Sequence, residues 1–256
     1  MLLKVISTGS QAGNCYALIA DNGEILLLDF GCEPNKILRG IGYRILDVCG
    51  ALLTHMHGDH VKAYRWLFQN GIPIYTNDET AEHFEIISGE RMIGLPERIP
   101  KRIGSWTVVP FYLPHTTRDK ETGALIPCPN FGYLIKNGDE TFLYATDFEY
   151  IPYTFKSQKI NYMLLECNHM DDSLERDSAK YEHVIKGHSS VSTVRDIILA
   201  NKTSDLRNVI LCHLSSENAE PERMKNEVKE VSGKWVSVDI ADKGKTWELS
   251  RFPWGG

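Results

Sequence analysis

A long stretch of positive charge is the first thing missing from this chain. No block of five or more basic residues occurs in its 256 residues, and the formal net charge is −6. Long duplex nucleic acid is therefore not the expected resting partner, because such binding draws on many Lys and Arg contacts; Arg44, Lys62, Arg65, Arg91 and Lys101-Arg102 are the residues that would have to gather into a local patch. Long apolar runs are missing too. None approaches the ~18 residues of a membrane-spanning helix, and the opening Met1–Gly9 is too poor in apolar residues for a signal peptide. The six cysteines, Cys15, Cys32, Cys49, Cys128, Cys167 and Cys212, form no C-x-x-C pair and keep no regular spacing. They read as reduced core residues of a cytoplasmic protein, none of them holding metal. No linker rich in Gly, Ser or Pro and no low-complexity tract interrupts the chain, so residues 1–256 are expected to form a single domain. With 42% hydrophobic and 24% charged residues, a sizeable core is available.

What is present is a succession of short apolar runs bounded by turn residues. Leu2–Ser7 and Cys15–Ala20 read as strands across a Gly-rich turn. Asp21-Asn22-Gly23 is a hairpin signal leading into Glu24–Asp29, which alternates so little that burial on both faces is expected. Val48–Leu53, Pro73–Thr76, Trp106–Leu113, Phe131–Lys136, Glu140–Ala145, Tyr162–Glu166, Val209–Cys212, Val236–Ile240 and Thr246–Leu249 are the remaining expected strands. Helices are expected over Pro34–Ile41, His60–Gln69, a stretch capped by Asn77 or Asp78 and running to Ile87, Ser190–Ala200 with a serine cap, and Pro221–Val231. Gly89–Arg102 reads as an irregular surface excursion. Strands in two batches with helices after each fit an α/β protein: two mixed sheets face to face with helices outside, an αββα sandwich.

The densest chemistry is Thr54-His55-Met56-His57-Gly58-Asp59-His60, directly after the Val48–Leu53 strand. Imidazole and carboxylate are the ligands of catalytic zinc and similar ions, and nine histidines in 256 residues seldom fall this way by chance. His55 and His57 can turn to one ion, and Asp59 and His60 to a second about 3.5–4 Å away, with Gly58 allowing the turn between them. Further donors are sought at strand ends, which fix loop residues in place. His115 follows Val108–Leu113, Asp147 follows Phe142–Ala145, and His213 follows Val209–Cys212.

The H-x-H-x-D-H motif, with His115, Asp147 and His213 in that order, resembles the ligand set of the metallo-β-lactamase superfamily of metal-dependent hydrolases. The resemblance implies that His55, His57 and His115 hold one ion, that Asp59, His60 and His213 hold the other, and that Asp147 bridges them. An aspartate bridge is compatible with the phosphodiesterase branches and disfavours antibiotic hydrolysis. Ser7–Cys15, Leu27–Gly31, Glu166-Cys-Asn-His169 and His213–Asn218 are similar to the YycJ (WalJ) group, regarded as exonuclease-like. Glu166, Gly187-His188-Ser189-Ser190 and His213-Leu214-Ser215 are similar to ribonuclease Z, which implies that His188 gives a proton to the leaving oxygen and that Glu166 orients it. His169 is open to two roles, support of the site or contact with substrate; the YycJ group has an acidic residue where this chain has Met170. His83 and His183 are read as helix-surface residues.

These resemblances imply a phosphodiesterase with two divalent ions, zinc suiting the histidines and manganese the carboxylates. Asp59 would both bind metal and orient the attacking water. The long arm with which ribonuclease Z grips tRNA has no room in the 32 positions from His115 to Asp147, so tRNA maturation is disfavoured. Two substrates stay open: single-stranded nucleic-acid ends, as in the YycJ group, and cyclic mononucleotides, as for the armless anti-Pycsar proteins. A thioesterase or lactonase of the same fold would use the same metals without needing Glu166 and His188, and a non-catalytic scaffold is hard to reconcile with a full ligand set. No membrane partner is expected; a homodimer is consistent with the resemblance.

Overall fold

The computed structural model describes residues 1–89, 91–119, 121–174 and 181–249. The first half of the chain runs β1 (Leu2–Ser7), β2 (Cys15–Ile19), β3 (Ile25–Leu28), α1 (Pro34–Gly40), β4 (Val48–Leu52), α2 (Gly58–Val61), α3 (Tyr64–Gln69), β5 (Ile74–Thr76), α4 (Asp78–Ser88) and β6 (Ile93–Gly94). Then follow β7 (Lys101–Ile103), β8 (Trp106–Tyr112), the small hairpin β9 (Thr116–Arg118) and β10 (Leu125–Pro127), β11 (Phe131–Asn137), β12 (Glu140–Ala145) and β13 (Tyr162–Glu166). The chain closes with α5 (Tyr181–Gly187), α6 (Val191–Asn201), β14 (Asn208–Cys212), α7 (Pro221–Ser232), β15 (Ser237–Ile240) and β16 (Thr246–Glu248).

Two seven-stranded sheets result, in the orders β16-β1-β2-β3-β4-β5-β6 and β15-β14-β13-β12-β11-β8-β7. Each joins antiparallel pairs on one side to parallel pairs on the other: β3, β4, β5 and β6 are parallel in the first sheet, β12, β13, β14 and β15 in the second. The architecture is the expected α/β sandwich of two mixed sheets. The near-continuous apolar strands are explained by burial on both faces. Leu26 and Leu28 enter the core between the sheets while Ile25 and Leu27 meet the helix layer of α1 to α4. Tyr162 and Leu164 likewise enter the inter-sheet core while Met163 and Leu165 meet Val194, Ile198, Met224 and Val228 of α6 and α7. Each such fully buried side chain contributes roughly 1.5–3 kcal/mol relative to exposure. Among the described residues no helix is long and apolar enough to cross a membrane.

Two expectations are corrected. His60–Gln69 is not one helix; it breaks between α2 and α3. The carbonyls of Asp59 and His60, which would continue the helix, accept instead from the amides of Asn14 (2.7 Å) and Phe30 (2.8 Å), and the Ala63 amide donates to Phe30 O (3.0 Å). The first turn is thus docked sideways onto the loops after β1 and β3. Gly89–Arg102 is not wholly irregular, since it holds β6 and begins β7, each pairing at a sheet edge. Asn77 caps α4 by accepting from the Thr80 amide, and Ser190 caps α6 by accepting from that of Thr193, both as expected. The six cysteines are free.

A candidate metal centre at the sheet edge

The strands β4, β8, β12, β13 and β14 end at one edge of the sandwich, and the loops leaving them carry the chemistry. Cross-sheet hydrogen bonds lock the two sheets at this edge: Phe131 N donates to Thr54 O (3.0 Å), and the Tyr133 hydroxyl to Leu53 O (2.5 Å). Glycine lets the loops stack. Gly31 lies so close behind the motif that a Cβ there would stand 1.7 Å from the Asp59 carbonyl oxygen; Gly13, with φ +82°, would place one 1.9 Å from Gly31 O. The glycine-rich turn and Gly31 are therefore the floor on which the H-x-H-x-D-H loop rests.

The nine residues expected to bind metal or act in proton transfer come together here, in four overlapping donor groups: His55, His57 and His115; His55, His60 and Asp147; Asp59, His60 and His213; and Asp147, Glu166, His188 and His213. In the first group, His57 Nδ1 faces His55 Nε2 at 2.9 Å and His115 Nε2 at 3.3 Å. The opposite ring nitrogens are held by Thr54 Oγ1, Thr117 Oγ1 and Gly187 O at 2.9–3.0 Å. A carbonyl only accepts, so His115 carries its proton on Nδ1 and turns the Nε2 lone pair inward. Burial lowers the pKa of all three rings, His115 to about 3, and neighbouring imidazoles reinforce the shift for His55. Three neutral rings aim nitrogens at one point.

The second group sits among carboxylates. His60 Nδ1 donates to Asp29 Oδ2 (2.8 Å) and its Nε2 faces Asp147 (3.1 Å) and Asp59 (3.5 Å). His213 Nδ1 donates to Glu166 Oε1 (2.7 Å), with Nε2 toward Asp59 (3.5 Å) and Asp147 (3.8 Å). Burial opposes protonation of both rings, yet for His60 the charges of Asp147, Asp29 and Asp59 outweigh it and hold the pKa well above its usual value. Asp147, Asp59 and Glu166 do the same for His213, raising it to about 10. In return, His60 and His213 overcome the burial of Asp59 and Asp147 and hold both carboxyls well below the usual range. Buried His213 Nε2 has no hydrogen-bond partner. Converging lone pairs, paired carboxylates and an unpartnered buried nitrogen fit divalent cations.

Glu166 does more than expected of it. Its Oε1 accepts from His188 Nδ1 and from His213 Nδ1, each at 2.7 Å, while Oε2 accepts from the amides of Ser189 (3.1 Å) and Phe148 (3.3 Å). Burial would raise its pKa, but His188 and the other donors bring it down to about 2. Glu166 in turn raises the pKa of His188 against the effect of burial.

Several partners were not found by sequence reasoning. Asp29, fully buried in the left-handed region (φ 52°), accepts from His60 Nδ1, the Thr54 amide and hydroxyl, and the Tyr144 hydroxyl of the other sheet. Asn14 Nδ2 donates to Asp59 Oδ2 (3.3 Å). Asp147 and His213 also have left-handed backbones (φ 54° and 53°), and their carbonyls are clamped by Asn130 (2.6 Å) and Asn168 (3.0 Å). Asp29 ends a buried strand just as Asp147 does, and that signal could have found it. Among the expected surface residues, His83 is exposed on α4, whereas the side chain of His183 lies outside the described residues. Of the basic residues named above, Arg44 pairs with Asp47, Lys62 with Glu33 and Arg91 with Glu85.

This fold and this edge of donors define a class. The chain belongs to the beta-lactamase superfamily, whose domain model matches residues 38–214, and so to the metallo-β-lactamase-fold hydrolases. Among its relatives, the exodeoxyribonuclease YycJ of Bacillus anthracis is 24% identical over 261 residues, covering 94% of this chain and 89% of that one. The anti-Pycsar protein Apyc1 of Paenibacillus xerothermodurans is 35% identical over 81 residues, 28% of this chain and 32% of that protein. The metallo-beta-lactamase fold protein YhfI from Bacillus subtilis superposes with a TM-score of 0.73 at 20% identity, covering 96% and 98% of the two chains.

Proposed function

We propose that this protein is a two-metal phosphodiesterase that cleaves nucleic-acid ends or small nucleotides. The observation that carries this reading is the Glu166–His188 pair, a 2.7 Å carboxylate–imidazole contact beside the donor cluster. Phosphodiester cleavage must stabilise a departing alkoxide, and a protonated histidine held by a carboxylate does so. Thioesters, whose thiolate is a weaker base than an alkoxide, leave without such help. Resemblance to an exodeoxyribonuclease and to an anti-Pycsar protein supports the same class.

In this reading His55, His57 and His115 would hold one ion and Asp59, His60 and His213 the other, with Asp147 available to both; zinc is the first choice and manganese the second. The ions, when bound, lower the pKa of water and neutralise charge building on the phosphate. The chain supplies the rest. Asp59 accepts a hydrogen bond from the attacking water and so fixes its lone pair toward phosphorus. Glu166 occupies His188 Nδ1, which makes Nε2 the atom that delivers a proton to the leaving oxygen. Asp29 and Thr54 hold the His60 and His55 rings against rotation.

The oligonucleotide reading is favoured by the YycJ resemblance along nearly the whole chain; the anti-Pycsar match, over a shorter stretch, favours cyclic mononucleotides. Zinc-loaded protein offered a 5′-phosphorylated single-stranded oligonucleotide and cyclic mononucleotides side by side, with products separated by chromatography, decides between them. Stepwise shortening of the oligonucleotide alone is the expected result. Opening of the cyclic nucleotides alone would retire the nuclease reading, and inertness toward both would retire the phosphodiesterase reading.

A further inference from the structure

His188 lines two separate cavities, of about 440 and 470 Å³. If it protonates the leaving oxygen, either cavity is within reach of the leaving group. Their chemistry differs. The larger is walled by the Gly9–Ala12 turn and the Ser215–Asn218 loop and has no aromatic lining residue. The smaller is bounded by Tyr150, His169, Asp171, Tyr181 and Thr193. Tyr150 is half-exposed and lines this cavity.

His169 is the unexplained group in that wall. It is only 3% exposed, and its Nδ1 is buried without a hydrogen-bond partner. Its backbone is fixed: its carbonyl accepts from the Val191 amide (3.0 Å), and it bridges to Ser190 at the start of α6. A buried imidazole nitrogen left unpaired costs free energy, and the ring that carries it belongs to a residue lining the cavity. Asp171, which accepts from the Ser192 amide and hydroxyl, adds carboxylate oxygens that can only accept.

We propose that this cavity receives the nucleoside part of the leaving group, with Tyr150 stacking on the base and His169 and Asp171 contacting its polar edge, so that His169 determines specificity. The inference rests on the phosphodiesterase reading. It assigns the smaller cavity because a base offers both a π-face and an edge of donors and acceptors, which a bare alkoxide or phosphate does not.

The test is a coupling measurement. Zinc-loaded wild type, His169→Leu and Tyr150→Ala are compared on the dinucleotide d(TpT) and on its two analogues that lack one base each. Removing the base on the leaving side is expected to reduce kcat/KM of the wild type by about tenfold, mainly through KM. In each variant that penalty should shrink to about twofold or less. Tyr150, on the surface, keeps the test valid if His169→Leu misfolds. Undiminished discrimination in Tyr150→Ala and in folded His169→Leu overturns the proposal, as does a wild type indifferent to the leaving-side base. If no dinucleotide is cleaved, the nuclease reading has failed and the cavity is tested alone: calorimetric binding of thymidine that Tyr150→Ala weakens supports it, and no binding to the wild type overturns it.

Discussion

The two halves of the donor cluster use the same side chain in opposite surroundings. His55, His57 and His115 are backed by hydroxyls and a carbonyl, and burial makes them neutral. His60 and His213 are backed by Asp29 and Glu166 and face Asp59 and Asp147, which holds them protonated when no ion is present. The difference teaches that one half is ready for a cation, whereas the other must first give up protons. Asp147 and Glu166 tie the second half to His188, so the half that exchanges protons is also the half beside the proton donor.

The strongest way to break this picture is Asp59→Ala, which removes a donor from the carboxylate half and the partner of the attacking water; hydrolysis should fall to background, as read by product formation with metal in excess. Next comes Asp29→Asn. An amide no longer offers two carboxylate oxygens to His60, Thr54 and Tyr144, and metal affinity of that half should fall by about 10–100-fold in competition with a chelating dye, while the three-histidine half is spared.

The proton difference itself can be weighed. A raised pKa means that His60 and His213 carry protons at pH 7 which a cation must displace, so affinity of their half should rise with pH, by about tenfold per unit for each proton displaced. The lowered pKa values of the other three rings mean that no proton is lost there and affinity is flat from pH 6 to 8. Titration calorimetry in two buffers of different ionisation heat counts the protons released with each equivalent. The smallest effect is expected from Thr117→Val, which deletes only the hydroxyl behind His57 Nε2 (3.0 Å); a few-fold loss of affinity in the three-histidine half, and none in the other, would sharpen the contrast.

How legible all this was follows from the physics of each part. The H-x-H-x-D-H loop is local, and residues two apart on one turn share a target whatever the rest does. His115, Asp147 and His213 were legible because apolar strands precede them and strand ends converge. The roles of Asp29, Thr117, Asn130 and Asn168 were not, because their worth lies in partners far away in sequence: Asp29 meets a tyrosine 115 residues on. The break between α2 and α3 was hidden for the same reason, since the apolar spacing is continuous and only the amides of Asn14 and Phe30 divert the helical carbonyls. The second task of Glu166, orienting His213 as well as His188, needed the three-dimensional approach of β13 and β14.

The most direct test of the account is the leaving-group dependence of His188→Ala. Wild type and variant, both with metal content verified, are compared on a single-stranded oligonucleotide, whose leaving alkoxide needs a proton, and on bis(p-nitrophenyl) phosphate, whose phenolate does not. The account predicts a loss of about 10²–10⁴-fold on the first and only a few-fold on the second. Equal losses on both would contradict a proton-donating His188, and with it the phosphodiesterase reading built on the Glu166–His188 pair.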